Sequence, residues 1–201
     1  MIKVSQEICT YQLKNKFLII KYEYKSNKKT HVNLTNHSYW NLEKIKKNMI
    51  YNHELRLNSN KYLQIDKDLI PTGKTKRVKN SIYDFLKFQN LGKKLNFFKN
   101  KKIDLKHKGF DTTYIVKKNS RNFVGSLKNK NSNIQVNFFS NLPGFQIYSA
   151  QNLNYKKKLF PYHGICLETQ YFPDTPNKKN FPSTLIKANK RYTCFTKIKI
   201  Y

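Results

Sequence analysis

The chain has 201 residues, of which 40 are lysine or arginine and 11 are aspartate or glutamate, giving a formal net charge of +29. A chain of this length buries roughly 70% of its unfolded surface, so we expect residues 1–201 to form one domain with a sizeable core. No apolar stretch approaches the roughly 20 residues of a membrane-spanning helix, and we expect no membrane partner.

The positive charge is carried almost entirely by lysine, since arginine occurs only at positions 56, 77, 121 and 191. Arginine is the side chain suited to bidentate recognition of phosphates and bases. The lysines are scattered along the whole chain, which is typical of a solvated surface. We therefore expect no specific nucleic-acid partner, although a basic surface that binds RNA or DNA through phosphate contacts is an open alternative.

The three cysteines, Cys9, Cys166 and Cys194, are widely spaced and form no CxxC pair. This spacing predicts reduced thiols and no bound metal. The first apolar run, residues 17–20, is too short for the core of a signal peptide. These features predict a cytoplasmic location.

Alternating apolar and polar residues predict β-strands along the chain. In residues 17–24, Leu18, Ile20, Tyr22 and Tyr24 share one face. The same alternation is found in residues 133–140 and 192–201. In residues 145–150 it places Gln146 and Tyr148 on one face, and in residues 164–172 it places Cys166, Glu168 and Gln170 on one face. The predicted fold is therefore all-β, a sandwich of antiparallel strands.

Other segments predict turns and one helix. Clusters of proline, glycine and small polar residues at 71–73, 141–144 and 173–176 predict turns between the strands. Residues 81–99 are the only segment that suits a short helix. There are no internal repeats and no long linker, which agrees with one domain.

Residues 30–42 carry the most informative polar pattern. Read as a strand, the segment directs Val32 and Leu34 towards the core and places His37 on the opposite, polar face. Hydrogen-bonding groups, aromatic rings and a titratable imidazole on one face are what a sugar site needs. The alternative is an exposed polar strand edge in which the histidine has no role.

Two further polar residues come directly after turns. Asp111 follows a glycine and precedes a predicted strand, and an ionised carboxylate there can accept hydrogen bonds from sugar hydroxyls. Gln146 lies opposite an apolar strand face and can donate or accept. An aspartate in a turn is more often a local backbone cap, so this residue alone is a weak indication.

Glu168 lies in the middle of an otherwise apolar predicted strand, residues 164–172. Few charged residues are near it in the sequence, so partial desolvation is expected to raise its pKa and its basicity. The alternative is a rim glutamate that faces solvent or pairs with a lysine.

Six segments, in this order, resemble the galactose mutarotase (aldose 1-epimerase) family. They are residues 33–42 (NLTNHSYWNL), 69–73 (LIPTG), 83–85 (YDF), 109–114 (GFDTTY), 142–148 (LPGFQIY) and 167–177 (LETQYFPDTPN). Trp40 stands where the family usually has Phe, and Thr112 stands where it has His. The resemblance spans about residues 10–201 and implies the family's β-sandwich.

The resemblance also implies an activity, the interconversion of the α and β anomers of aldohexoses such as galactose and glucose. Glu168 would take the proton of the anomeric hydroxyl while His37 protonates the ring oxygen. Asp111 would bind sugar hydroxyls, and Ser38 and Tyr39 would line the site beside His37. From its place on the strand, we expect Gln146 to be a further substrate-binding residue. No metal or cofactor is implied.

Family members are longer, and this sequence lacks their N-terminal Asn-Arg pair and Leu-His-Gly-Gly segment. The resemblance therefore implies a sandwich without the N-terminal strands, with exposed sheet edges. A decaying gene remnant, a separate N-terminal fragment that docks here, and self-association are all open explanations. A non-catalytic sugar-binding remnant and a hexose-6-phosphate 1-epimerase relative are the alternatives for function.

Overall fold

The computed structural model describes residues 4–45, 48–99, 107–156 and 158–201. Within these ranges it contains fifteen strands and one α-helix, with short 3-10 turns that include Ile50–Asn52 and Thr175–Asn177. In chain order the elements are β1 (Val4–Lys14), β2 (Phe17–Ser26), β3 (Thr30–His31), β4 (Tyr39–Trp40), β5 (His53–Leu57), β6 (Lys61–Ile65), β7 (Pro71–Arg77), β8 (Gln89–Asn90), α1 (Leu91–Lys99), β9 (Asp111–Ile115), β10 (Phe123–Asn129), β11 (Ile134–Ser140), β12 (Gly144–Tyr148), β13 (Ile165–Gln170), β14 (Leu185–Ile186) and β15 (Tyr192–Ile200).

The strands form two large sheets and one small pair. The seven-stranded sheet has the order β1-β2-β15-β11-β10-β5-β8, and the six-stranded sheet has the order β4-β13-β12-β9-β6-β7. Strand β14 pairs with β3. All of these pairings are antiparallel. The predicted all-β, antiparallel sandwich is confirmed.

The core lies between the two sheets. The ring of Phe138 on β11 packs against Trp40 on β4 and Phe145 on β12, with ring centroids 5.6 Å apart in both pairs. Ile147 and Leu167 are buried on the same side of the six-stranded sheet. Because side chains alternate along a strand, the residues next to Ile147 and Leu167 direct their side chains to the opposite, outer face of this sheet.

The helix and the turns test two further predictions. Helix α1, Leu91–Lys99, lies within the segment 81–99 that was expected to be helical. The turn predicted at 71–73 is wrong, since Pro71 begins strand β7. The turn lies just before it, where the Asp66 carboxylate accepts the backbone N–H groups of Asp68 and Ile70.

Strand β1 is an edge strand whose core-side face is uncovered. Its residues Tyr11 and Leu13 pair with Ile20 and Leu18 of β2 and leave the same face of the sheet. Ile20 is 1% exposed, whereas Leu13 is 82% exposed. The expected exposed edge is therefore present here. That self-association or a docked fragment covers it stays a prediction.

Among the described residues, no helix has the length and apolar character needed to cross a membrane.

Candidate active site

The register of three neighbouring strands places the polar residues of the outer face in rows. One row runs from Thr113 on β9 through Gln146 on β12 to Glu168 on β13. The next row runs from Asp111 through Tyr148 and Cys166 to Tyr39 on β4. Residues that are far apart in the sequence therefore meet on one face of the six-stranded sheet.

These rows form the floor of a cavity of about 350 Å³. Its lining residues are His37, Asp111, Gln146, Tyr148, Glu168, Gln170 and Pro173. Four residues that the sequence singled out, His37, Asp111, Gln146 and Glu168, are thus brought together. Their assignment as catalytic and sugar-binding residues stays a prediction at this point.

Asp111 and Gln146 are fixed by a chain of hydrogen bonds. The amide nitrogen of Gln146 donates to the Asp111 carboxylate at 2.6 Å, and the hydroxyl of Thr113 donates to the amide oxygen of Gln146. Just before β9, the backbone at Gly109 packs closely against Ser149. Only glycine fits there, because a Cβ would lie 2.3 Å from the Ser149 hydroxyl oxygen. The two polar groups are therefore held in one orientation before a ligand arrives.

Glu168 is the most buried charged group of the site, with 6% of its side chain exposed. Burial raises the pKa of its carboxyl above the ordinary value, the nearby His37 lowers the pKa in part, and the charge of Asp111 raises it further. Burial also raises the pKa of Asp111, against the Gln146 hydrogen bond and His37. The alternative of a rim glutamate paired with a lysine is wrong.

His37 reaches the same cavity from a loop. Its Nε2 lies 3.6 Å from Oε1 of Glu168, and 52% of its side chain is exposed. Its ring packs against the rings of Tyr39 and Tyr148, with centroids 5.2 Å and 6.3 Å away. An imidazole and a desolvated carboxylate therefore face each other across the cavity floor.

The prediction that residues 30–42 form one strand is wrong. Only Thr30–His31 and Tyr39–Trp40 are strands, and the segment between them is an extended loop. The reason is that polar side chains of the segment, and not its backbone, bond to the neighbouring chain. Asn33 exchanges two hydrogen bonds with the backbone of Tyr171, and Thr35 donates to the carbonyl oxygen of Thr169. The expected orientation holds, since Val32 and Leu34 pack against the core.

Ser38 and Tyr39 support His37 from beside it. The Ser38 hydroxyl donates to the side chain of Asn36 at 2.6 Å, which braces the loop on both sides of His37. Asn36 in turn donates to the Tyr11 hydroxyl of β1 at 3.0 Å. Burial raises the pKa of the Tyr39 hydroxyl to about 12, so it stays protonated.

Cys166 completes the group under the imidazole. His37, Cys166 and Glu168 have donor atoms within 4.8 Å of one another, which is the spacing of a possible metal site. However, the sulfur faces Nδ1 of His37 while the carboxylate faces Nε2. An imidazole gives a metal one nitrogen, so the arrangement fits two separate hydrogen-bond contacts better than one coordination sphere.

Sequence reasoning missed several residues of this site. Tyr148, Gln170 and Cys166 were placed on the correct strand faces, but no role was expected for them, and Thr113 and Pro173 were not singled out. The sequence signal that could have found them is their spacing. Pro173 directly follows the predicted strand 164–172, and each of the others lies two residues from a predicted site residue on a strand. Which strands are neighbours depends on long-range pairing, which spacing does not give.

A larger cavity of about 520 Å³ lies elsewhere, beside residues 115–119 and 140–143. Among the described residues that line it, only Lys117 and Lys118 are titratable. It offers no acid–base pair, so the smaller cavity is the better candidate for an active site.

The sequence of the chain is similar to those of known proteins. The family model described as aldose 1-epimerase matches residues 8–199. The galactose mutarotase of Homo sapiens is 33% identical over 190 residues, which are 91% of this chain and 54% of that protein. The aldose 1-epimerase of Haemophilus influenzae is 31% identical over 188 residues, 90% of this chain and 54% of that protein.

Solved structures show the same fold. A GalM/aldose epimerase homologue from C. elegans has a TM-score of 0.84 at 20% identity, over 96% of this chain and 58% of that one. A galactose 1-epimerase from Lactobacillus acidophilus has a TM-score of 0.80 at 21% identity, over 96% of this chain and 56% of that one. This chain therefore spans about half the length of the curated relatives that it matches. By its sequence and its fold, the chain belongs to the aldose 1-epimerase family.

Proposed function

We propose that this chain interconverts the α and β anomers of an unphosphorylated aldohexose by acid–base opening and closing of the sugar ring. The observation that carries the proposal is the facing pair, with His37 Nε2 and Glu168 Oε1 3.6 Å apart over one cavity. The anomeric oxygen and the ring oxygen of a pyranose share one carbon. An acid and a base this close can therefore reach both oxygens at once.

The reaction needs two proton transfers in each direction. The Glu168 carboxylate takes the proton of the anomeric hydroxyl while Nε2 of protonated His37 gives a proton to the ring oxygen. The bond between the anomeric carbon and the ring oxygen breaks, and an open-chain aldehyde forms. After rotation about the bond between carbons 1 and 2, the hydroxyl on carbon 5, which contains the former ring oxygen, attacks the other face of the aldehyde. The two protons then return to His37 and to the new anomeric oxygen. Acid–base catalysis of this kind contributes about 10²- to 10⁴-fold.

The surroundings of the pair suit a sugar. Burial makes Glu168 a stronger base than an exposed glutamate, because the charged form is less well solvated. The braced Asp111 and Gln146 offer acceptors and donors to hydroxyl groups. The Tyr148 ring and Pro173 offer apolar surface to the C–H faces of a pyranose.

The lining of the cavity favours an unphosphorylated substrate. Among the described residues, no lysine or arginine lines it, although the chain carries 40 such residues in all. A hexose 6-phosphate would bring a charge of about −2 that such side chains normally hold. This observation disfavours the hexose-6-phosphate 1-epimerase alternative.

Polarimetry on the purified chain tests the proposal. Freshly dissolved α-D-galactose and α-D-glucose are expected to reach anomeric equilibrium faster than in buffer alone, and glucose 6-phosphate is expected to gain less. The Glu168→Gln variant is the control for catalysis by trace contaminants. Binding of galactose without any acceleration would instead support a non-catalytic sugar-binding protein and contradict the proposal.

A further inference from the structure

Cys166 and Glu168 make a two-point contact with one imidazole ring. They are separated by one residue on β13, so both side chains leave the same face of the strand. The Cys166 sulfur lies 3.4 Å from Nδ1 of His37, and Oε1 of Glu168 lies 3.6 Å from Nε2. One strand therefore meets both nitrogens of a histidine that belongs to a distant loop.

The thiol is enclosed although it lies on the outer face of the sheet. Cys166 has no exposed surface, and it pairs with Tyr39 on one side and Tyr148 on the other. Burial and the charge of Glu168 raise the pKa of the thiol well above its ordinary value, although the neighbouring Tyr39 hydroxyl lowers that pKa in part. The thiol remains S–H rather than thiolate, and it is therefore a neutral hydrogen-bond partner and not a nucleophile.

The loop that carries His37 is braced by Ser38 and Asn36, but its backbone does not set the orientation of the imidazole ring. Residues 32–38 form no strand ladder, and half of the His37 side chain is exposed. Rotation of the ring by half a turn about its Cβ–Cγ bond would put Cδ2 in the place of Nδ1 and Cε1 in the place of Nε2, so that a carbon would face Glu168. A partner on the Nδ1 side is needed to keep Nε2 towards Glu168.

We propose that Cys166 is a positioning residue that holds the His37 ring with Nε2 towards the sugar. This inference rests on the proposed role of His37 as the acid. A thiol suits the task because it is both a weak donor and a weak acceptor. It accepts from Nδ1–H while the ring gives its Nε2 proton to the substrate, and it donates to Nδ1 when the neutral ring carries its proton on Nε2. The ring thus changes protonation without changing orientation.

Three substitutions separate positioning from space filling. Cys166→Val fills the space, with one methyl group more, and removes the hydrogen bond. Cys166→Ala removes both the packing and the hydrogen bond, and Cys166→Ser keeps a polar group with a shorter reach. If the sulfur only fills space, valine is the best replacement. If it positions the ring, serine is the best, because it retains a donor and an acceptor.

Cys194→Val is the matched control. Cys194 is also a buried thiol with a raised pKa, to about 11, but it lies on β15 in the core. The same substitution there reports the cost of replacing a buried thiol far from His37. Thermal unfolding of every variant confirms that it is folded before kinetic comparison.

The test combines kinetics on α-D-galactose with ¹⁵N-histidine NMR of the sugar-free protein. In Cys166→Val, kcat is expected to fall by about 10- to 100-fold, the range for a catalytic group misplaced by about 1 Å, with KM nearly unchanged. The ring-nitrogen signals of His37, assigned with His37→Asn, are expected to be sharp in the parent and broadened or doubled in the variant. Compared with Cys166→Val, the Cys166→Ser variant should recover part of the kcat and part of the sharpness of the His37 signals.

The two readouts distinguish this inference from the proposed function. Changed His37 signals in a chain that accelerates no sugar would uphold the positioning contact and overturn the epimerase proposal. An active chain in which Cys166→Val leaves kcat and the His37 signals unchanged would overturn the positioning role. Equal losses in the serine and valine variants with unchanged His37 signals would also overturn it, since they indicate packing alone.

Discussion

The two halves of the proposed acid–base pair are held in different ways. Glu168 lies on β13, a strand with a neighbour on each side, and its orientation is set by the backbone of a packed sheet. His37 lies on a loop that has no ladder and is held by side-chain hydrogen bonds and ring contacts. The base is therefore fixed by the fold, and the acid is fixed by its neighbours.

This difference has an energetic side. Burial of the Glu168 carboxylate costs stability, because its charged form loses solvation. The imidazole remains half exposed, so it exchanges protons with solvent and can move with the loop. Substitutions that loosen the loop should impair the acid and leave the base unchanged.

The largest expected effect comes from removing the base. Glu168→Gln should lower kcat by about 10²- to 10⁴-fold, because the general base is lost. It should also stabilise the protein near neutral pH. The folded pKa of Glu168 is raised, so its ionised form opposes folding above that pKa, and the neutral amide does not. Each kcal/mol gained raises Tm by about 2 to 4 °C.

Glu54→Gln is the matched control for that stability change. Hydrogen bonding to Lys128, at 3.0 Å, lowers the pKa of Glu54. A lowered folded pKa contributes stability at neutral pH that is lost as pH falls through it, so this variant should be less stable, with activity unchanged. Thermal unfolding at pH 7 and pH 3.5 measures the stability change of both the Glu168→Gln and the Glu54→Gln variants. A fall in Tm for Glu168→Gln at pH 7 would contradict the account of its burial.

A smaller effect is expected from the loop anchors of the acid. Asn33→Ala removes two hydrogen bonds to Tyr171, and Thr35→Val removes one to Thr169. Each should lower kcat by about 10-fold or less, since such a bond is worth about 0.5 to 1.5 kcal/mol. The pH dependence that arises from Glu168 should be unchanged.

Asn180→Ala is the control for this comparison, because Asn180 donates to the carbonyl oxygen of Gly73, outside the lining of the site. Steady-state kinetics across pH give both readouts. If the anchor variants shifted the pH dependence of the base instead of kcat, the separation between a backbone-held base and a neighbour-held acid would be wrong.

The smallest expected effect is a shift in pH dependence. Activity should fall as pH drops through the raised pKa of Glu168, because the base must be ionised. The Asp111 charge adds to that raised pKa, so Asp111→Asn should move the fall in kcat/KM, which reports the sugar-free protein, to lower pH. It should also raise KM, since an acceptor for sugar hydroxyls is lost. A fall that moves to higher pH would contradict the assigned interaction.

The sequence predicted strand faces well and strand neighbours poorly. Alternation in residues 145–150 and 164–172 correctly placed Gln146 and Glu168 on faces opposite the core, because alternation is a local property of a strand. The rows that bring Asp111 beside Tyr148 depend on pairing between distant segments, so local spacing was uninformative about them.

The loop of His37 was predicted as a strand for a physical reason. Its alternation was real, but the side chain of Asn33 bonds to the backbone of Tyr171 just after β13, the side chain of Thr35 bonds to the backbone of Thr169 within β13, and no ladder forms. Cys166 was placed on the face of Glu168 without a role, because its partner on the other ring nitrogen lies 129 residues away. Only the folded chain brings that pair together.

The most direct test is a double-substitution cycle on the rate of anomer exchange. Saturation-transfer NMR on equilibrated D-galactose measures exchange for the parent chain, His37→Asn, Glu168→Gln and the double variant. If the two groups act as one unit, the double variant should lose little more than the worse single variant. Losses that multiply, or single variants as active as the parent chain, would contradict a shared acid–base role for His37 and Glu168.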